Sequence, residues 1–522
     1  MILVKLYIRI FSVYRKRIYF LLKVISGLLI LWIQNERELN YMKTIVFGVG
    51  NYYREQKEKL DSLDDIEVIA FADNNASLWN KKVNGITVIS PDLIQTFEYD
   101  KIMIMSIYVC AIYKQLLTLG VDEDRIIIWD RFYKSLLQGS MRMFGTARND
   151  IAGKQKVLII SQELNYDGGT LASIYAAMAL KDRGIPVILS VPNGNQKLIN
   201  EVAKKGVEIV LCPSLPYIFD ADKKWFQQFD IVIVNLFTMI ESAYEINKFC
   251  PVLWWLHEAS QTYKTAMAKY IACLHMRTIT EMSIYAVSDI AKRNFNNEMK
   301  DIVKKKLTIG IPDMANLISR KKREDGKMIF AIIGTIHSLK AQDIFVRAAS
   351  MADGGDKSEF WMIGRSIDKE YFEKVCKIAA GVNSVRILGE LSREEINKTF
   401  SDIDVLVCAS HEETLSMTVI EAMMHGKACI TTANTGIAEY IENGVNGFVI
   451  SNNNVDALAE KMQWLAEHRE KAEEMGVAAR KTYERYFTMD VFAQNLENAL
   501  RETVQKWKQG ETNESPMHLC DL

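Results

Sequence analysis

Ser410-His411-Glu412-Glu413-Thr414-Leu415-Ser416-Met417-Thr418-Val419-Ile420-Glu421-Ala422-Met423-Met424-His425-Gly426-Lys427 follows a short apolar run, Val405–Cys408, of the kind buried on both faces of a sheet. Glu413 and Glu421 stand eight positions apart, an E-x7-E spacing. A helix predicted to start near Ser416 carries Glu421 on its second turn. Its free N–H groups then face the loop that holds Glu413. A carboxylate near a helix mouth accepts hydrogen bonds from sugar hydroxyls, and one a turn further along accepts from a ribose diol. The open N–H groups at Ser416 and Met417 suit a diphosphate. The set matches a nucleotide-sugar in size and polarity. An isolated pair at this spacing reads better as two solvated acids on a surface helix. A strand over 429–432 after Gly426, with Gly436, Glu439, Asn446 and Gly447 beyond it, weighs against that reading.

Upstream, a strand over 328–333 ends at Gly334, and Lys340 lies six residues on, before a helical stripe of Ile344, Phe345, Ala348 and Ala349. Strands over 360–363 and 385–388 end at Gly364-Arg365 and Gly389. Further back, an apolar strand over 157–160 leads into Asn165-Tyr166-Asp167-Gly168-Gly169-Thr170 and a helix over 171–183. A diglycine at a helix start leaves backbone N–H groups open, which makes an anion site; a plain tight turn is the alternative. Strands over 187–190, 208–211 and 231–234 follow. Val252-Leu253-Trp254-Trp255-Leu256 then runs into His257-Glu258, placing a polar pair just past a buried strand, where ligands bind in open α/β sheets.

The beginning of the chain contains a third α/β pattern. Strand, Gly48-Val49-Gly50-Asn51, helix over 53–63, and a strand ending at Asp73 follow the order of a dinucleotide-binding βαβ unit. Tyr53 occupies the third glycine position, so the fingerprint is incomplete. A docking domain that binds no nucleotide is the competing reading. Residues 1–35 hold six bases (Lys5, Arg9, Arg15, Lys16, Arg17, Lys23) and no acid. The apolar run 18–33 is too short to span a bilayer and contains Lys23. It reads either as a helix on an anionic cytoplasmic membrane face or as an over-extended start before the strand at 42.

Composition bounds the rest. The chain has 522 residues, with 64 Lys+Arg against 65 Asp+Glu, 49% hydrophobic and 25% charged. That is a multidomain globular chain with no bulk basic field for nucleic acid. Its 8 scattered Cys form no CxxC pair and fit reduced thiols in the cytoplasm. The seven His show no zinc spacing. Asp402-Ile403-Asp404 spells a metal-binding DxD, but it sits directly before a buried strand and is read as structural.

Four segments carry a resemblance: Asp167-Gly168-Gly169, Gly334 with Lys340, Ser410 through Gly426, and Gly436 to Gly447. Residues 155–505 resemble the retaining glycosyltransferases of the GT-B fold grouped as family 4. The first unit resembles the Rossmann-like accessory domains attached to polysaccharide-synthesis enzymes. The resemblance implies two doubly wound Rossmann-like domains preceded by a third, smaller one. The organisation expected is a leader 1–41, an accessory domain 42–138, a linker 139–154, an N-terminal acceptor domain 155–310, a C-terminal donor domain 311–485, a helix 486–508 and a polar tail 509–522. By that likeness Glu413 holds donor sugar hydroxyls and His257 lies beside the reacting centre, the two catalytic candidates. Glu421 takes the ribose and Lys340 the diphosphate, with Gly168, Gly169, Gly334, Ser416 and Met417 lining the donor. Many relatives place an Arg shortly before the diphosphate Lys, where this chain has Thr335; Arg365 is the candidate substitute.

The resemblance implies transfer of a sugar from a nucleotide-sugar to a glycan or lipid-linked acceptor in cell-surface polysaccharide synthesis. No metal and no cofactor are expected, and peripheral contact with the cytoplasmic membrane is. A catalytically silent GT-B scaffold assisting a partner enzyme is the alternative, and retention of both acids, Lys340 and His257 speaks against it.

Overall fold

The computed structural model describes residues 41–145, 155–275, 282–299, 302–315, 326–352 and 357–511. The expectations for the leader up to residue 40 and for the tail from 512 lie outside them. Two compact units divide the chain, one ending at Asp130 and one beginning at Arg131.

The first unit is built on a six-stranded sheet in the order Lys82–Val83, Ile86–Ile89, Ile66–Ala72, Met42–Phe47, Lys101–Ile104, Ile126–Ile128. All neighbours are parallel except the Lys82–Val83 edge hairpin. The chain winds outward from Met42–Phe47 in one direction, then restarts beside it at Lys101–Ile104. That reversal makes a switch point at Gly48. Tyr53, at the expected third glycine position, is buried against Phe71 with ring centroids 5.2 Å apart.

The second unit contains two sheets. The first has eight strands, in the order Lys305–Lys306, Ser283–Ala286, Val252–Leu256, Ile231–Asn235, Val157–Ile160, Val187–Val191, Glu208–Leu211, Arg142–Phe144. The second has six, in the order Val385–Gly389, Ser358–Ile363, Met328–Ile333, Val405–Cys408, Ala428–Thr432, Phe448–Ile450. Continuous apolar runs such as Val157–Ile160 and Met328–Ile333 are buried at every position, because helices cover both faces. The stretch read as linker contains a strand of its own. Arg142–Phe144 pairs antiparallel with Glu208–Leu211 and closes the edge of the eight-stranded sheet. Three residues without clear alternation gave no sequence signal for it.

The long helix Met489–Glu511 returns to the eight-stranded sheet rather than staying with the domain that precedes it. Phe492 stacks on Trp255 at 5.7 Å, Tyr285 donates its hydroxyl to Glu502, and Trp507 Nε1 donates to the Asn247 carbonyl. The chain thus crosses twice between the two sheets, and the domains of the second unit are joined by more than one strand of chain.

Candidate active site

Both sheets of the second unit reverse their winding at the middle; Gly168, Gly169, Gly334, Lys340 and Glu413 follow the strands at those reversals, and His257 and Arg365 follow strands one place further out. In the six-stranded sheet, Met328–Ile333 and Val405–Cys408 lie side by side. The loop after the first holds Gly334 and Lys340, and the loop after the second holds Ser410 to Ser416. Gly364 makes the first turn possible. Its φ is +153°, and a Cβ there would lie 1.8 Å from the Gly334 carbonyl oxygen. Any side chain at 364 would therefore push the Gly334 turn out of place.

Lys340 and Glu413 meet at the centre of this arrangement, Nζ to Oε1 at 2.7 Å. Ser410 Oγ donates to the other carboxylate oxygen at 3.0 Å. The loop is held rigidly from below. Thr432 Oγ1 donates to the Ser410 carbonyl, Asn434 and Asn452 both donate to the His411 carbonyl, and the Gly436 N–H donates to the Glu413 carbonyl. Burial pushes the Glu413 carboxyl up, but the Lys340 charge and the hydrogen bonds outweigh it and hold the group below the usual range. Burial pushes the Lys340 amine down, and Glu413 more than reverses that. Both groups are charged, sheltered, and partnered mainly by each other. A diphosphate arriving here would compete for Lys340 and release Glu413.

The helix Met417–Met424 opens at this loop, one turn before Glu421. Its N-cap residue, Ser416, makes no capping bond; its hydroxyl pairs with Thr418 Oγ1 instead, so the first-turn N–H groups stay open toward the loop. Glu421 is 1% exposed. One of its carboxylate oxygens is bonded by Arg393, and the other, Oε2, has no partner among the described residues. Burial raises its carboxyl above the ordinary range, with Arg393 working against that. Arg365 is exposed and enters no ion pair among the described residues; its carbonyl accepts the Ile336 N–H, so it rides on the loop beside the Gly334 turn.

The eight-stranded sheet faces this loop with its own reversal, between Val157–Ile160 and Ile231–Asn235. The helix Gly168–Asp182 starts there, three residues earlier than the pattern predicts. A Cβ on Gly168 would lie 3.8 Å from the Met417 side chain, so the two helix starts approach each other. Asp167 caps the first helix by accepting the Thr170 N–H, and one of the N–H groups counted as open is thereby filled. Asn235, fully buried, donates to Ser161 Oγ and to the Gly169 carbonyl and fixes that turn.

His257 lies against Trp255, its Nε2 shielded and without a partner among the described residues. Burial pushes its pKa down to about 3, so the ring is neutral. The Glu258 carboxylate takes the N–H groups of Phe237 and His257, while burial pushes it up to about 7. Thr414, next to Glu413, donates its hydroxyl to the His257 carbonyl at 2.6 Å. That bond ties the two catalytic candidates together across the two domains.

Glu412 is a residue the sequence reading passed over. It accepts from the Ser260 N–H and Ser260 Oγ at 2.8 Å each and from Asn294, capping the Ser260–Lys269 helix of the other domain. Arg393 is another; in sequence it is only the first residue of a helix with a Ser392–Glu395 capping box. Neither carried a signal, because each partner is more than 25 residues away. Among the described residues no group of three or more His, Cys, Asp or Glu could hold a metal ion. The Asp404 carboxylate accepts the Ile329 N–H and so serves the sheet.

Three family models match the chain. Residues 314–482 match the one described as glycosyl transferases group 1, and residues 153–309 the one described as glycosyl-transferase family 4. Residues 40–127 match the model described as C2185-like, N-terminal. The two doubly wound sheets, their switch points and the two glycosyltransferase models that match residues 153–309 and 314–482 give this part of the chain the GT-B fold.

The relatives are distant. The crystal structure of Anabaena Alr3699/HepE in complex with UDP and glucose superposes with a TM-score of 0.56 at 16% identity, covering 67% of this chain and all of that one. Sucrose-phosphate synthase from Thermosynechococcus elongatus gives 0.54 at 14%, covering 67% and 99%. The sulfoquinovosyl transferase of Arabidopsis thaliana is 32% identical over 122 residues, 23% of this chain and 24% of that one. The D-rhamnosyltransferase of Pseudomonas aeruginosa is 24% identical over 230 residues, 43% and 59%. Both curated matches thus span less than two thirds of the relative's length.

Proposed function

We propose that the chain is a retaining glycosyltransferase that moves a sugar from a nucleotide-sugar donor to a glycan or lipid-linked acceptor, in cell-surface polysaccharide synthesis. The observation that carries this is the Lys340–Glu413 pair at a switch point, beside an uncapped helix start and the half-satisfied carboxylate of Glu421. Buried charges cost free energy unless partnered. A donor diphosphate on Lys340 and the Met417–Met424 N-terminus, sugar hydroxyls on Glu413, and a ribose on the Glu421 Oε2 would satisfy this set together. The solved neighbour that holds UDP and glucose is consistent with such a ligand.

The reaction asked of these groups is cleavage of the bond between the sugar C1 and the diphosphate oxygen. The bonding electrons leave with the diphosphate. Lys340 and the helix N–H groups stabilise that charge, the main electrostatic task of the site. The acceptor hydroxyl then enters on the face the diphosphate leaves, and its proton passes to the departing oxygen. Configuration is retained. Neutral His257 would hydrogen-bond the donor sugar once its shielded ring is uncovered, and Arg365, exposed on the adjoining loop, would take the outer phosphate. No step here calls for a metal. The first unit serves as an accessory domain, and residues 1–35 as a peripheral membrane contact.

Purified protein incubated with UDP-, ADP-, GDP- and dTDP-sugars, with and without EDTA, tests this. Release of one nucleoside diphosphate, undiminished by EDTA and with the α-anomer first formed from an α-donor, is the expected result. No release from any donor contradicts the enzyme reading; release that EDTA abolishes and a divalent ion restores contradicts metal independence.

A further inference from the structure

Glu421 is 1% exposed, yet among the described residues only one of its two carboxylate oxygens has a partner. The used oxygen belongs to Arg393, at the start of the Arg393–Thr399 helix. The same guanidinium has the hydroxyl of Tyr175 as a neighbour. Tyr175 is 8% exposed and comes from the helix Gly168–Asp182 of the opposing domain. An ion pair, an orphaned oxygen and a phenol from across the domain boundary thus meet at one point. An orphaned buried carboxylate oxygen is costly and calls for a physical reason, of which a bound hydroxyl is one.

We infer that Arg393 is the positioning residue for ribose recognition, fixing the Glu421 carboxylate by one oxygen so that the other is presented to the ribose diol, and that Tyr175 makes this depend on the opposing domain being in place. The inference rests on the donor reading above and adds to it a residue pair that the E-x7-E spacing does not contain. The chemistry is selective. A charged carboxylate accepts strongly from a hydroxyl, and a protonated one does not. With Arg393 gone, the influence that opposes burial at Glu421 is lost, and burial favours the protonated acid. The loss should then fall on the ribose hydroxyls alone, leaving the diphosphate contacts at Lys340 untouched.

The experiment is a titration of the full chain with UDP, ADP and GDP, each beside its 2′-deoxy counterpart, followed by a double-mutant cycle. The wild type should prefer one ribonucleotide to its deoxy form by about tenfold or more, the range of a charge-assisted hydrogen bond. Arg393→Met should bring that ratio close to one while the deoxynucleotide affinity stays within about threefold of wild type. Arg393→Lys, which keeps a charge, should recover part of the preference, and Tyr175→Phe should lose a smaller part. Glu421→Gln, a neutral group of the same shape, should already lack the preference, and adding Arg393→Met to it should change nothing further. This pair keeps the test valid where Arg393→Met alone folds poorly. An unchanged ratio in Arg393→Met, tighter binding in it, or additive losses in the double variant would overturn the inference. A folded wild type that binds none of the six nucleotides would overturn the donor reading itself.

Discussion

Gly48 and Gly334 occupy the same station in two different sheets, just past the central strand where the winding reverses. Around Gly48 the polar groups close on each other. The Asp73 carboxylate, which a nucleotide-binding turn would offer to a ribose, accepts the Val49 N–H at 3.0 Å with one oxygen and the Asn75 N–H at 2.8 Å with the other. Tyr53 fills the place of the third glycine and is bonded at its hydroxyl by Asn84. Around Gly334 the polar groups are left waiting. Lys340 and Glu413 pair between neighbouring loops of one sheet, and the buried Glu421 keeps an oxygen without a partner among the described residues. The same topology thus carries one turn that is satisfied by its own loop and one that is not. The fold supplies a position, and unsatisfied chemistry marks where a ligand goes.

The sharpest way to break this comparison is Glu413→Gln. It keeps the shape and removes the charge that the proposed role sets beside the reacting sugar. We expect kcat to fall by roughly 10²-fold, near 3 kcal/mol of transition-state stabilisation, with the protein still folded. Near-normal kcat would make Glu413 a mere partner for Lys340.

Next in size is a contrast within the first unit. Gly48 has φ +103°, and a Cβ there would lie 2.8 Å from the Met105 carbonyl oxygen, whereas a Cβ on Gly50 meets nothing within 4 Å. Gly48→Ala should cost about 2 kcal/mol of stability in that unit, read by chemical denaturation, and Gly50→Ala close to none. Equal effects would mean the turn is not held as described. Neither change should alter donor binding if the turn holds no donor.

A smaller effect is expected at Glu421. The ribose does not react, so Glu421→Ala should raise the donor KM about tenfold, near 1.4 kcal/mol, with little change in kcat. A large kcat loss at Glu421 and a pure KM effect at Glu413 would reverse the roles assigned to the two acids.

Much of this was legible in the sequence, and the particulars show why. Strands such as Met328–Ile333 and Val405–Cys408 are announced by continuous apolar runs, and the E-x7-E pair by its spacing from a helix start. Those are local signals. Glu412 capping a helix more than a hundred residues away, Arg393 paired with Glu421, and Thr414 bonded to the His257 carbonyl depend on how two domains meet. A single sequence carries no trace of that meeting. The Lys340–Glu413 pair lies between these cases. The sequence marks both residues for separate donor groups, and only the folded loops show that each holds the other.

The central claim is that Lys340 and the opening of the Met417–Met424 helix form a diphosphate site. Calorimetric titration of wild type and Lys340→Met with UDP-, ADP-, GDP- and dTDP-sugars tests it most directly. The wild type should bind one of these, and Lys340→Met should weaken that binding by about tenfold or more while remaining folded. Equal affinity in the two proteins, or no binding of any donor by the folded wild type, would contradict the account.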